Sequence, residues 1–146
     1  MRIYLDACSL QRPLDDRTQP RINVEAEAVL TILSLVESGD VELLSSEVLQ
    51  FETACIPNVR RQARAREMLT LASQVLKLTD EVEAQAAVFV KAGIKPMDAL
   101  HLASATQTKA DYFCSCDDKL LKKSRKLKTL DTRVVSPLQL IAEVIP

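Results

Sequence analysis

The sequence predicts an α/β fold, a three-layer α/β/α arrangement around a central, mostly parallel five-stranded sheet. Three observations predict it. Short apolar runs alternate with helical segments along the chain. The connections between those runs are long enough to hold helices, as parallel neighbours require. The segment from Lys95 to Ala105 is apolar or small on nearly every side, the pattern of a helix buried in a core. With 146 residues, 47% of them hydrophobic, the chain has the size and composition of one domain, read here as 1–146.

In order, Arg2-Ile3-Tyr4-Leu5 reads as a strand buried on both faces and closed by Asp6. Ser9 to Arg21 holds two prolines and several charges and reads as a loop. From Ile22 to Ser38 the pattern is helical, with Val29, Ile32, Leu33 and Val36 on one stripe and Gly39 in the C-cap place. Val41 to Leu44 is a second strand. Ser45 or Ser46 caps a helix carrying Glu47 and Glu52 that ends before Pro57. Asn58 caps the next helix, to about Ala72. Val75 to Leu78 is a third strand, followed by a helix from Thr79 or Asp80 to Ala92, closed by Gly93. Pro96 sits in the first turn of the central helix, where proline is tolerated. Tyr112 to Ser115 is a fourth strand, then comes a basic helix. Arg133 to Val135 is a fifth strand, and Ser136-Pro137 opens a last helix to about Val144.

Composition removes several function classes. The net charge of −1 gives no global pull toward nucleic acid or membrane, so such contacts need local patches. Two glycines cannot build a Gly-rich phosphate loop. The cysteines at 8, 55, 114 and 116 match no zinc framework and read as buried free thiols. The start of the chain does not read as a signal peptide, and no apolar run approaches a membrane span. The expectation is a soluble, cytoplasmic protein without membrane contact.

Four acids could meet at the carboxyl ends of the strands, where open α/β sheets collect ligands. Asp6 ends the first strand, Asp117 follows the fourth, Glu52 lies on the helix after the second, and Asp98 opens the helix that feeds the fourth. Like charges a few ångströms apart repel, and a hard divalent cation with oxygen ligands, Mg²⁺ or Mn²⁺, resolves the conflict. Each acid also has a plainer reading. Asp98 and Asp117 suit helix caps, and Glu52 suits a solvated helix position. His101, the only histidine, lies one turn beyond Asp98 and reads either as a partner of that carboxylate or as a satisfied helix histidine. The basic run Lys119, Lys122, Lys123, Arg125, Lys126 and Lys128 is either a solvated face or a phosphate-binding one. The group from Arg60 to Arg66 is read the same way. With no tryptophan and 3% aromatic residues, extensive base stacking is not expected.

Four stretches carry a resemblance: Tyr4-Leu5-Asp6; Ser46-Glu47-Val48-Leu49-Gln50-Phe51-Glu52; Met97-Asp98-Ala99-Leu100-His101-Leu102-Ala103; and Ala110-Asp111-Tyr112-Phe113-Cys114-Ser115-Cys116-Asp117. Over essentially the whole chain the sequence resembles the PIN-domain family, most closely the VapC-like toxin ribonucleases of toxin–antitoxin pairs. The resemblance implies a metal-dependent endoribonuclease using Mg²⁺ or Mn²⁺. Asp6, Asp98 and Asp117 match the metal-binding acids by position. Glu52 matches the fourth, as ligand or as an orienter of water, and Ser115 matches a hydroxyl residue that accompanies the last aspartate. An RNA substrate, a small antitoxin partner and a homodimer are further implications. The chain departs from the family pattern at Cys8, where Asn or Ser is frequent. This motivates an alternative expectation, a PIN-like RNA-binding or scaffold module with little catalysis.

Overall fold

The sequence was folded as a computed structural model that describes residues 1–127 and 130–145; Lys128 of the basic run lies outside the described residues. Among these residues the strands are β1 (Arg2–Leu5), β2 (Glu42–Ser46), β3 (Gln74–Leu76), β4 (Tyr112–Cys114) and β5 (Arg133–Val135). The α-helices are α1 (Ala7–Gln11), α2 (Pro20–Glu37), α3 (Glu47–Ala54), α4 (Val59–Leu69), α5 (Asp80–Lys91), α6 (Pro96–Gln107), α7 (Asp118–Ser124) and α8 (Pro137–Val144).

Element ends follow local chemistry. Side chains of Ser46, Asn58, Thr79 and Asp117 accept backbone N–H groups at the starts of α3, α4, α5 and α7, and Ser136 forms a capping box with Gln139 at α8. Gly39 and Gly93, with φ of +84° and +100°, turn the chain left-handed just beyond α2 and α5. Ser45 and Ser46, read from sequence as cap residues only, extend β2 and pair with Val75 and Leu76.

The segment read as a loop from Ser9 to Arg21 is largely ordered. Asp6 accepts the Ser9 N–H and starts α1 directly after β1. A 3₁₀ turn at Arg12–Leu14 follows, and α2 begins at Pro20. Arg61 of α4 pins this turn by donating to the Gln11 side chain at 2.9 Å, to the Leu14 carbonyl at 2.8 Å and to the Asp15 carboxylate. A five-residue helix has too few turns to show periodicity, so the sequence could not display it.

All strand pairs are parallel, in the order β3-β2-β1-β4-β5. Alternation along the strands divides the interior. Tyr4, Leu44 and Phe113 join the core under α5 and α6, whereas Ile3, Leu5, Leu43, Tyr112 and Cys114 join the core under α2 and α8. Tyr4 and Phe113 stack with ring centroids 5.6 Å apart. The chain steps outward from β1 to β3 and then returns to the other side of β1 with β4. The order therefore reverses between β1 and β4, and the carboxyl ends of these two strands border the crevice where α/β sheets bind ligands.

Candidate active site

Three aspartates reach that crevice from element ends. Asp6 follows β1, Asp117 follows β4 and precedes α7, and Asp98 lies in the first turn of α6. Glu52 comes from α3, which leaves β2. Burial pushes the half-buried Asp98 carboxyl up, and the charges of Asp6 and Asp117 push it further, with a smaller contribution from Glu52. The charges of the other three acids thus all reach Asp98.

Three of the four carboxylates are anchored through a single oxygen. Asp6 Oδ1 accepts the Ser9 N–H at 3.0 Å, Asp117 Oδ1 accepts the N–H groups of Lys119 and Leu120 at 2.9 and 3.3 Å, and Glu52 Oε1 pairs with His101 Nε2 at 2.5 Å. Their second oxygens have no protein donor, and Asp98 has none on either oxygen, among the described residues. Capping and ion binding are therefore compatible roles for Asp6 and Asp117. As placed, no three acid, histidine or cysteine side chains among the described residues are grouped closely enough to enclose an ion. The donor chemistry nonetheless fits a hard cation: the available atoms are carboxylate oxygens, and the ionised form of Asp98 is disfavoured until positive charge arrives.

His101 does not hydrogen-bond Asp98, the partner considered from sequence. It is 2% exposed and spans from Glu52 at Nε2 to Tyr4 at Nδ1, the latter at 2.7 Å. The Tyr4 hydroxyl also meets Ser46 Oγ at 2.7 Å. Sequence reasoning gave Tyr4 no role. Its signal was a phenol in a fully buried strand, which must find a hydrogen-bond partner.

The PIN domain family matches residues 3–126. The chain belongs to the PIN domain family. PIN-domain proteins are nucleases, hydrolases that generally use divalent metal ions. Among solved structures, PAE2754 from Pyrobaculum aerophilum is similar with a TM-score of 0.58 and 17% identity, over 99% of this chain and 98% of that one. VapBC2 from Rickettsia felis, bound to a DNA fragment from its promoter, is similar with a TM-score of 0.57 and 11% identity, over 92% of this chain and 98% of that one. At these identities the likeness is one of fold. No curated protein matches the chain. Among the described residues no helix is long and apolar enough to cross a membrane.

Cys8 of this PIN domain reaches the first aspartate after all. Its thiol donates to Asp6 Oδ1 at 3.1 Å and lies 3.6 Å from Ser115 Oγ. The neighbouring Cys116, burial and the Asp6 charge push the thiol well up, so it remains a donor. Ser115, fully buried, accepts the Asp117 N–H at 3.0 Å and shapes the turn that presents Asp117. All four cysteines are free thiols, but only Cys114 and Cys116 are buried; Cys8 and Cys55 sit at helix ends and are exposed.

Of the basic residues singled out from sequence, Lys119 and Lys123 line the small cleft that also contains Asp98 and Asp117. Lys122, Arg125 and Lys126 are exposed and do not line it. Lys95, at the N-cap of α6, completes the cleft and was missed, because a lone lysine before Pro-Met-Asp carries no pattern. In the other basic group, Arg61 is committed to holding the turn after α1, and together with Arg60, Arg64, Leu14 and Asn58 it lines an open groove.

Proposed function

We propose that this PIN domain is a Mg²⁺- or Mn²⁺-dependent endoribonuclease, the toxin of a toxin–antitoxin pair. One observation carries the nuclease reading: Asp98 is half-buried without a hydrogen bond among the described residues, and Asp6 and Asp117 face the same crevice and raise its pKa. Asp6, Asp98 and Asp117 would hold the ion, and Glu52 serves as ligand or water orienter. When bound, such an ion supplies positive charge to the phosphoryl oxygens and makes water a better nucleophile. Lys95, Lys119 and Lys123 border the cleft and neutralise backbone phosphates there. Water adds across the P–O3′ bond, leaving a 5′-phosphate and a 3′-hydroxyl.

Asp6→Asn tests the reading cleanly. Asparagine caps a helix about as well as aspartate, so α1 and its turn are preserved. We predict that RNA cleavage in Mn²⁺ falls at least about a hundredfold while the thermal midpoint moves little. A variant that cleaves as fast as the parent refutes the assignment.

The toxin reading draws on the resemblance to VapC-like sequences and on the fold shared with VapBC2. It includes a small antitoxin partner, a homodimer and action on cytoplasmic RNA. We predict that expression of the parent alone arrests growth whereas Asp6→Asn does not, and that light scattering gives twice the chain mass. The alternative of an RNA-binding module with little catalysis rests on Cys8 as a poor neighbour for Asp6; the 3.1 Å contact from its thiol to Asp6 Oδ1 favours the catalytic reading instead.

A further inference from the structure

Glu52 differs from the capping aspartates in what holds it. Asp6 and Asp117 are fixed by backbone N–H groups of the helices they cap. Glu52 lies within α3, has three rotatable bonds, and its side chain is 34% exposed. A glutamate in that position ordinarily samples several rotamers. Here one oxygen is tied to His101 Nε2 at 2.5 Å. His101 is in turn tied to Tyr4, and Tyr4 to Ser46, in an interior where Tyr4 and Ser46 are both 0% exposed.

Proton counting sets the direction of this chain. Ser46 Oγ accepts the Leu49 N–H, so its own proton needs another acceptor. If Ser46 donates to Tyr4, Tyr4 donates to His101 Nδ1, and Nε2–H donates to Glu52, every group is satisfied. The reverse order strands the Ser46 proton without an acceptor in a dry site, which is costly. The histidine tautomer is therefore fixed from β1 and the end of β2, where Tyr4 and Ser46 are fully buried.

We propose that Ser46, Tyr4 and His101 form a buried positioning relay that holds one oxygen of Glu52 still and leaves the other to orient the attacking water. This rests on the nuclease reading. It separates the acids by role: Asp6, Asp98 and Asp117 serve the ion, and Glu52 serves the water. His101 and Tyr4 touch neither substrate nor ion and act only through Glu52.

His101 is the only histidine, so ¹⁵N-imidazole spectra of the full chain contain a single, unambiguous pair of ring nitrogens. The relay requires a protonated Nε2 and an unprotonated Nδ1; a proton on Nδ1 overturns it. Kinetics on Tyr4→Phe, His101→Gln and His101→Ala supply the second arm, with Mn²⁺ affinity measured by calorimetry on each. His101→Ala lowers kcat about 30-fold. His101→Gln, which can still offer an N–H to Glu52, recovers about tenfold of that loss, and Tyr4→Phe lowers kcat about tenfold. Mn²⁺ affinity and RNA KM stay within about twofold in all three. Mn²⁺ affinity that falls in step with kcat makes Glu52 an ion ligand and overturns the division of roles. A folded His101→Gln no more active than His101→Ala overturns the relay. An inert parent sinks the nuclease reading and the relay with it, whereas an active parent with unaffected variants sinks the relay alone.

Discussion

Asp98 makes the metal-free fold less stable than its packing permits. Burial, then Asp6 and Asp117, raise its carboxyl above the ordinary value, so the folded chain holds this proton more tightly than the unfolded chain does. Stability is therefore lost as pH rises from the unfolded value through the folded one, and above both the full penalty remains. Asparagine at this position carries no charge to penalise. We predict that Asp98→Asn melts about 2–4 °C above the parent near neutral pH in chelator, a modest figure because the side chain is only half-buried. The difference should shrink toward zero near pH 3, where both side chains are neutral. Melting curves at the two pH values check this, and an Asp98→Asn protein less stable than the parent near neutrality refutes it. On the proposed reading the same substitution would also remove an ion ligand and so exchange activity for stability, as residues placed for function commonly do.

At the scale of elements, α7 shows how helical phase selects among similar residues. Lys119 and Lys123 are four apart, share a face and line the cleft with Asp98 and Asp117, while Lys122 lies on a different face and Lys126 follows the end of the helix. Lys119 also lies in the first turn, the wrong end of a helix dipole for a cation. We predict that Lys119→Ala with Lys123→Ala weakens binding of single-stranded RNA and lowers the slope of log affinity against log salt by about 1.4, the value for two phosphate contacts. Lys122→Ala with Lys126→Ala should leave the slope unchanged. Anisotropy titrations across salt concentrations, on an Asp6→Asn background to prevent cleavage, distinguish the pairs, and equal slopes refute the assignment. The sequence showed this basic run but not its phase toward the cleft. It showed the helices with clear caps, such as those opened by Asn58, Thr79 and Ser136, because capping chemistry is local. It hid α1, whose start depends on one Asp6 hydrogen bond, and the β3-β2-β1-β4-β5 order, which depends on packing between distant segments. The acids were legible because Asp6, Asp98 and Asp117 mark element ends. The partner of His101 was not, because Glu52 is 49 residues away and only the fold brings it near.

Across the whole molecule, the proposed ion binding and the folding would draw on the same contacts. The candidate ligands come from the end of β1, the start of α6 and the turn after β4, and nothing local holds them together in an unfolded chain. Two cores, one on each face of the sheet, fix where those ends meet. An ion bound there stabilises the native state and has little hold on the unfolded one, so its binding free energy appears as folding free energy. At a hundredfold excess over its dissociation constant, Mn²⁺ should add about 2.7 kcal/mol, or roughly 5–10 °C in the thermal midpoint for a chain of this size. Asp117→Asn is the discriminating control, because asparagine still caps α7 but lacks the carboxylate charge. We predict that the variant folds, melts close to the parent in chelator, and loses most of the Mn²⁺ gain. Sodium chloride at matched ionic strength should reproduce none of that gain, since general screening acts on every surface charge and not on this crevice alone. Differential scanning calorimetry with and without Mn²⁺ reads all three quantities. A parent without a Mn²⁺ shift, or a variant with the same shift, would show that the ion does not bind where β1, α6 and β4 converge.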